Sequence, residues 1–130
     1  MGAARARRAV WLIAAGRIAL GLAVLLAPER VTARWLGQDN AKNAAVGDLA
    51  RGLAARDIAL GVSVLATLDD AKAGPIVQVG CALADAGDVL GTIAAREHLP
   101  RAGALGTVAI AGGAVAVGLY LAHQISHAGD

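Results

Sequence analysis

Residues 78–92 read QVGCALADAGDVLGT, a stretch in which polar residues recur within an otherwise apolar run. The intervals between them are three, four, three and four residues, which place them along one face of an α-helix. This polar face consists of Gln78, Cys81, Asp85, Asp88 and Thr92. A stripe of small residues lies beside it: Gly80, Ala84, Gly87 and Gly91. Both faces favour contact with other helices, so we expect this helix to lie at the centre of the protein.

The rest of the chain is too apolar for a typical soluble domain. Of its 130 residues 57% are hydrophobic and 17% are charged, against about 45–50% and about 25% in soluble domains. An aromatic content of 2% and 17 glycines are typical of helices that pack closely within lipid. The lipid bilayer is therefore the first expected partner. A net charge of only +2 and the lack of an aromatic platform argue against nucleic-acid binding.

Four segments are long enough to cross a hydrocarbon core of about 30 Å. We predict these helices at residues 9–27, 49–68, 73–95 and 102–125, and the last three are joined by short polar hairpins. The longer connection, residues 29–48, is predicted to lie at the membrane surface as an amphipathic segment anchored by Trp35. The sequence thus predicts one domain, 1–130, that is an all-α four-helix transmembrane bundle. Basic residues are nearly balanced between the two sides, so its orientation stays open.

Five charged residues fall near the middle of the predicted spans: Arg17, Arg56, Asp57, Asp85 and Asp88. With a rise of about 1.5 Å per residue, an antiparallel arrangement brings all five to similar depths. One charge at the bilayer centre costs about 2.5–3.5 kcal/mol on insertion scales, so we expect the five to face inward and neutralise one another. They sum to −1, and either one proton or Arg51 completes the balance.

A short repeat accompanies these charges. The tetrapeptide IALG occurs at residues 18–21 and again at 58–61, which aligns Arg17 with Asp57. In a chain this rich in Ala, Leu and Gly such matches arise easily, so a true duplication stays open. In both helices a glycine follows the charge by one turn on the same face, and we expect the helices to approach closely there.

The charged residues are candidates for acid–base chemistry. Asp85 and Asp88 lie one helical turn apart, so they are predicted to share a proton and to supply an acid and a base. We therefore assign the candidate catalytic residues as Asp85, Asp88, Asp57, Arg56 and Arg17. The candidate substrate contacts are Gln78, Cys81, Thr92 and Arg51, although Arg51 is also spaced for an ordinary surface pair with Asp48.

Neither a metal nor another cofactor is expected. His98 and His127 are predicted to lie in a loop and in the tail, and His123 lies near the end of the fourth helix. Cys81 has no histidine at plausible reach, so the pattern favours a thiol in the core over a nucleophile.

Three stretches resemble a family of small bacterial four-helix membrane proteins of unassigned function. They are residues 16–30, in which the first helix runs into Pro28; residues 55–61, with the pattern Arg-Asp-x-x-Leu-Gly; and residues 85–88, with the pattern Asp-x-x-Asp. The resemblance implies a four-helix fold in the bacterial inner membrane and a polar site at Arg56, Asp57, Asp85 and Asp88. It implies no reaction.

Several functions are compatible with this pattern. The first is an intramembrane acid–base enzyme acting on a lipophilic small molecule, such as a terpenoid, polyketide or lipid, by epoxide opening, cyclisation or isomerisation. Its Asp, Arg, Asp arrangement is similar in chemistry to that of the limonene-type epoxide hydrolases, which have a different fold. The alternatives are a proton-coupled carrier of lipophiles and a non-catalytic membrane subunit held together by Arg–Asp pairs. A second copy of the chain is a further candidate partner.

Overall fold

The computed structural model describes residues 3–126, which fold into six α-helices and contain no strand. The four long helices are α1 (Ala3–Leu26), α4 (Ala44–Ala66), α5 (Ala73–Ala94) and α6 (Arg101–Ser126). Between α1 and α4 lie two short helices, α2 (Pro28–Leu36) and α3 (Gln38–Ala41), and a 3-10 turn at Arg96–His98 precedes α6. The predicted all-α fold is confirmed, and each long helix overlaps one predicted span.

Three of the long helices are long and apolar enough to cross a membrane: Ala4–Leu26, Ala73–Ala94 and Arg101–Ser126. The fourth, α4, is not among them, and it carries Arg51, Arg56 and Asp57. Large apolar side chains are exposed along all four long helices. An apolar exterior of this kind around internal charges is typical of membrane proteins.

The long helices pack as two antiparallel pairs, α1 with α4 and α5 with α6. In the first pair Gly21 lies against Ile58, and Gly61 lies against Ile18. Each glycine of the IALG repeat therefore faces the isoleucine of the other copy. The predicted close approach one turn beyond the charges is confirmed, because a glycine lets the facing helix come within contact distance of its backbone.

One end of the bundle is filled by an apolar core. Buried side chains from all four long helices meet there, including Val10, Ala14, Val64, Cys81 and Leu121. The core closes the end at which α1 begins and α6 finishes. Cys81 is a buried thiol of this core, as the sequence predicts.

The other end is covered by α2, which contacts α1, α4 and α6. The backbone of Trp35 lies directly against Gly103 of α6. Gly37 has a φ of 88° beside Pro100, a conformation that favours glycine and lets the chain turn from α2 into α3. The predicted amphipathic segment is present, but Trp35 is partly buried against the bundle instead of being only a surface anchor.

The hairpin between α4 and α5 is held by the side chain of Asp70. Oδ1 of Asp70 accepts hydrogen bonds from the backbone N–H groups of Ala73 (2.9 Å) and Lys72 (2.8 Å). These two bonds stabilise the ionised carboxylate and lower the pKa of Asp70 below its ordinary value. The short polar connection expected from the sequence is thus ordered by its own acidic residue.

The small-residue stripe of α5 does not pack against another helix of this chain, so that prediction is wrong. A Cβ added at Gly80, Gly87 or Gly91 would meet no atom within 4 Å. The reason is rotational: the polar face of α5 turns inward, with Asp85 and Thr92 each 5% exposed. The neighbouring stripe is thereby directed outward.

We predict that Gly61→Ala destabilises the protein by about 1–3 kcal/mol, the usual range for an overpacked core. A Cβ at this position would lie 2.6 Å from Cγ1 of Ile18 and 2.8 Å from the carbonyl oxygen of Ala14, so α1 and α4 would have to separate. Unfolding in mixed micelles, followed by circular dichroism, measures the change.

The matched control is Gly52→Ala, since Gly52 lies in the same helix and a Cβ there meets nothing within 4 Å. This variant should be as stable as the parent or slightly more stable, because alanine favours helix. Equal stabilities for the two variants would contradict the reciprocal packing of the repeat.

Candidate functional site

Five charged side chains meet inside the bundle as one alternating chain of ion pairs. α1 supplies one of them, and α4 and α5 supply two each. Their order along the chain is Asp85, Arg17, Asp57, Arg56 and Asp88. We call this set the Arg/Asp cluster. All five residues proposed from the sequence as catalytic are brought together.

Arg17 joins two helices to its own. Its Nη1 donates to Oδ1 of Asp57 at 2.9 Å, and its Nη2 donates to Oδ2 and Oδ1 of Asp85 at 2.6 and 2.7 Å. The side chains of Arg17 and Asp85 are only 11% and 8% exposed. This pair is the most buried part of the cluster, and it fixes α1 against α5.

Arg56 forms the more open half of the cluster. Its Nη1 and Nη2 donate to the two carboxylate oxygens of Asp88 at 3.1 and 2.8 Å, and Nη2 also reaches Oδ1 of Asp57 at 3.1 Å. The side chains of Arg56 and Asp88 are 32% and 29% exposed. This half therefore remains accessible to a small molecule.

Asp57 is the central carboxylate and the least saturated one. Its Oδ1 accepts hydrogen bonds from both arginines, whereas both oxygens of Asp85 and of Asp88 are bound. Within residues 3–126, Oδ2 of Asp57 accepts no hydrogen bond. Three carboxylates oppose two guanidiniums, so the cluster has a formal charge of −1. The free acceptor therefore lies on Asp57, the middle carboxylate of the cluster.

The pairing differs from the shared-proton arrangement expected of Asp85 and Asp88. Each of the two carboxylates binds its own arginine, Arg17 for Asp85 and Arg56 for Asp88. The two aspartates share one face of α5, but α1 and α4 each bring a guanidinium to that face. Arg51 does not complete the charge balance, since it is exposed and lies outside the cluster.

A cleft of about 590 Å³ ends at the Arg/Asp cluster. All five charged residues of the cluster line it, and most of the remaining lining is apolar: Leu20, Val24, Val31, Leu53 and Ile110 among others. Pockets for small molecules typically measure about 300–1,000 Å³ and combine an apolar wall with a few polar groups. Both the size and the composition of this cleft fit that description.

The four substrate contacts proposed from the sequence lie elsewhere. Gln78 and Cys81 border a small void of about 20 Å³ on the far side of the cluster. Thr92 is buried and Arg51 is exposed, and neither is part of the cleft lining as the structure describes it. The polar face of α5 does turn inward, but its first turns face the packed core at the closed end, and the cleft lies at the other end.

Sequence reasoning missed the part of the cleft formed by α6. One face of this helix carries Gly103, Gly106, Thr107, Ile110 and Ala114, all of which line the cleft. Their spacing of three or four residues and the isolated polar Thr107 were the available signal. The Thr107 hydroxyl donates to the carbonyl oxygen of Gly103 at 3.0 Å, so it is satisfied within its own helix.

Two buried N–H donors of cleft-lining residues lack an acceptor in the described chain: Nε of Arg56 and Nε1 of Trp35. A buried donor without a partner costs about 1–3 kcal/mol. Such groups are rare in folded proteins, and functional sites are among the places where they persist. Trp35 and Arg56 therefore both belong to the candidate site.

The described residues contain no group of three His, Cys, Asp or Glu side chains arranged to hold a metal ion. His98 is exposed in the 3-10 turn, and His123 is exposed near the end of α6. His127 lies outside the described residues.

Comparisons with protein-family models, with curated proteins and with solved structures give no match to this chain. The resemblance to small bacterial four-helix membrane proteins therefore stays a prediction. The function has to be argued from the Arg/Asp cluster and the cleft.

We predict that Asp85→Leu lowers the free energy of unfolding by about 3–5 kcal/mol, because it leaves Nη2 of the buried Arg17 guanidinium without its carboxylate partner. The matched control is Asp69→Leu. Asp69 pairs with Arg7 on the surface, where the two side chains are 67% and 57% exposed, and exposed pairs contribute little. Unfolding titrations in mixed micelles compare the two, and a similar loss in both variants would show that the cluster does not hold the bundle together.

Proposed function

We propose that this protein is an integral membrane protein that binds a lipophilic small molecule in the cleft and acts on it by acid–base chemistry. One observation carries the proposal: an apolar cleft of ligand size ends at an ion-paired cluster with an unsaturated carboxylate. Soluble enzymes rarely surround such a site with an apolar exterior. A substrate that partitions into lipid explains both the apolar wall of the cleft and the apolar exterior of the protein.

The proposal includes α4 as a fourth membrane span. Its 23 residues correspond to about 34 Å, which is sufficient for a hydrocarbon core of about 30 Å. Its two central charges, Arg56 and Asp57, are paired with Asp88 and Arg17, so their insertion cost is offset within the bundle. On the resemblance described above, we place the bundle in the bacterial inner membrane.

Within the site we assign Asp57 as the base and Arg56 as the group that stabilises negative charge. Asp57 has the free carboxylate oxygen, and Arg56 has an unpaired N–H at Nε. The simplest reaction for this pair is an isomerisation. In a substrate whose carbonyl group and carbon–carbon double bond flank one carbon, Asp57 removes a proton from that carbon, and the electron pair moves onto the carbonyl oxygen, which Arg56 stabilises. Return of the same proton to another carbon shifts the double bond and regenerates Asp57.

The roles of Asp57 and Arg56 favour one of the three reactions considered from the sequence. Cyclisation by protonation of an alkene needs a protonated carboxyl group, whereas all three carboxylates of the cluster are bound by arginines. Epoxide opening needs Asp57 to activate a water molecule and the alkoxide to be protonated afterwards. Isomerisation uses one base and one stabilising cation and needs no co-reactant.

A second function, the proton-coupled carrier of lipophiles, is favoured by the formal charge of −1. The cluster becomes neutral on taking up one proton, which would link its charge to transport. The non-catalytic subunit is favoured by the extensive pairing of Arg17 with Asp85. The test below distinguishes these two alternative functions from the enzyme.

The first step of the test is native mass spectrometry of the purified protein, followed by solvent extraction and identification of the retained lipophile. We predict that Asp57→Asn keeps the fold and retains the lipophile but lowers its conversion by about 10²–10⁴-fold, the usual contribution of a general base. Conversion is measured after reconstitution in vesicles, by chromatography of the extracted lipid phase.

The matched control is Asp48→Asn, on the same helix but exposed and away from the cleft; it should convert the lipophile at the parental rate. Full conversion by Asp57→Asn would contradict the assignment of Asp57 as the base. Loss of lipophile translocation between vesicle leaflets without any conversion in the parent would identify the carrier instead. A lower yield or loss of assembly alone would identify the structural subunit.

A further inference from the structure

We infer that the cleft opens sideways, between α1 and α6, into the hydrocarbon of the membrane, and that its substrate arrives through this opening. The inference rests on the proposed function, since it assumes that the helices span a bilayer. It adds an access route and a narrower substrate class.

Three other sides of the cleft are occupied by the protein itself. The outer end lies under α2, whose Val31 and Trp35 form part of the lining. The inner end is occupied by the Arg/Asp cluster, with the packed core beyond it. On the side where α4 faces α5, the ion pair between Arg56 and Asp88 joins the two helices. The side between α1 and α6 remains.

On that side the lining residues are exposed. Ile13 and Leu20 of α1 are 41% and 53% exposed, and Ile110 of α6 is 76% exposed, although all three line the cleft. A side chain that belongs both to a cleft and to the outer surface lies at the rim of an opening. The rim is therefore apolar and is contributed by α1 and α6.

Two glycines lie within this rim and keep it open. Gly16 and Gly106 both line the cleft, and a Cβ at either position would meet no atom within 4 Å. They contrast with Gly21 on α1, where a Cβ would lie 2.7 Å from α4. The glycines of the rim thus provide space for another molecule, whereas Gly21 serves contact between helices.

The helices on both sides of the opening, α1 and α6, are two of the three helices that are apolar enough to span a membrane. The opening therefore faces lipid and not water. Gly16 directly precedes Arg17, so the opening lies at the level of the cluster, away from both ends of α1. A headgroup charge at that depth is costly, so the reacting group must be weakly polar.

The substrate class follows from these positions. It is a long-chain or isoprenoid molecule dissolved in the bilayer, whose reacting carbonyl group lies within the hydrocarbon region. A substrate with a charged headgroup next to the reacting carbon does not fit this route.

The test uses Trp35 as a reporter, because it lines the cleft, in a Trp11→Phe background that removes the exposed second tryptophan. The protein is placed in phosphatidylcholine nanodiscs, and nonadecane carrying a nitroxide quencher at mid-chain is added. We expect the probe to quench Trp35 fluorescence. Gly16→Leu fills the opening and should lower the Stern–Volmer constant several-fold, and Gly106→Leu should do the same from the other side.

Gly52→Leu is the matched control, since Gly52 is also a helical glycine with open space around it but lies outside the described lining of the cleft. It should leave quenching at the parental level. Circular dichroism melts confirm that all variants are folded. Equal quenching in Gly16→Leu, Gly106→Leu and Gly52→Leu would overturn the lateral route while leaving the proposed function in place. No quenching of Trp35 by the probe in the parent, with no lipophile retained on purification, would overturn both.

Discussion

An arginine placed in the middle of an apolar helix imposes the main constraint on this structure. A guanidinium does not lose its proton in a protein interior, so Arg17 must be neutralised by carboxylates of other helices. It binds Asp57 of α4 and Asp85 of α5. These bonds fix the relative depth of three helices at once. Arg56 then binds Asp57 and Asp88, which completes the connection between α4 and α5. The apolar contacts of the bundle are formed around this arrangement.

The cluster is uneven, and its two halves suit different roles. The pair of Arg17 and Asp85 is about nine-tenths buried, whereas Arg56 and Asp88 form a bidentate pair that keeps roughly a third of the two side chains exposed. The buried half is suited to holding the helices, because removal of either partner leaves a charge without compensation. The open half lies at the cleft and includes the free oxygen of Asp57. A single ion-paired network can therefore have both a structural and a chemical role. Arg17 and Asp85 suit the structural role, and Arg56 and Asp57 suit the chemical one.

The sequence predicts those features that depend on position along a helix. Apolar length located the four long helices, helical rise placed the charges at one level of the bundle, and the IALG repeat located the contact between α1 and α4. Features that depend on helix rotation were not predictable in this way. The stripe at Gly80 and Gly87 has the pattern of a packing face. The ion pair between Arg17 and Asp85 turns the polar face of α5 inward, so the neighbouring stripe faces outward. The cleft was missed for a related reason: apart from Thr107, the wall on α6 has no residue type that distinguishes it from a surface facing lipid.

The glycines of the long helices differ in their structural surroundings although they look alike in the sequence. Gly61 and Gly103 lie against backbone of a neighbouring helix, where any side chain would collide, while Gly16 and Gly106 border open space. All four look alike in sequence, as small residues in apolar helices. The first kind is required by the fold, because it brings the helices together and sets the level of the charges. The second kind is not required by any contact within the described chain, and open space alone does not give it a role, since Gly52 borders open space outside the cleft. What distinguishes Gly16 and Gly106 is that their open space belongs to the cleft that ends at the Arg/Asp cluster, so a role for them depends on the lipophile proposed to enter there.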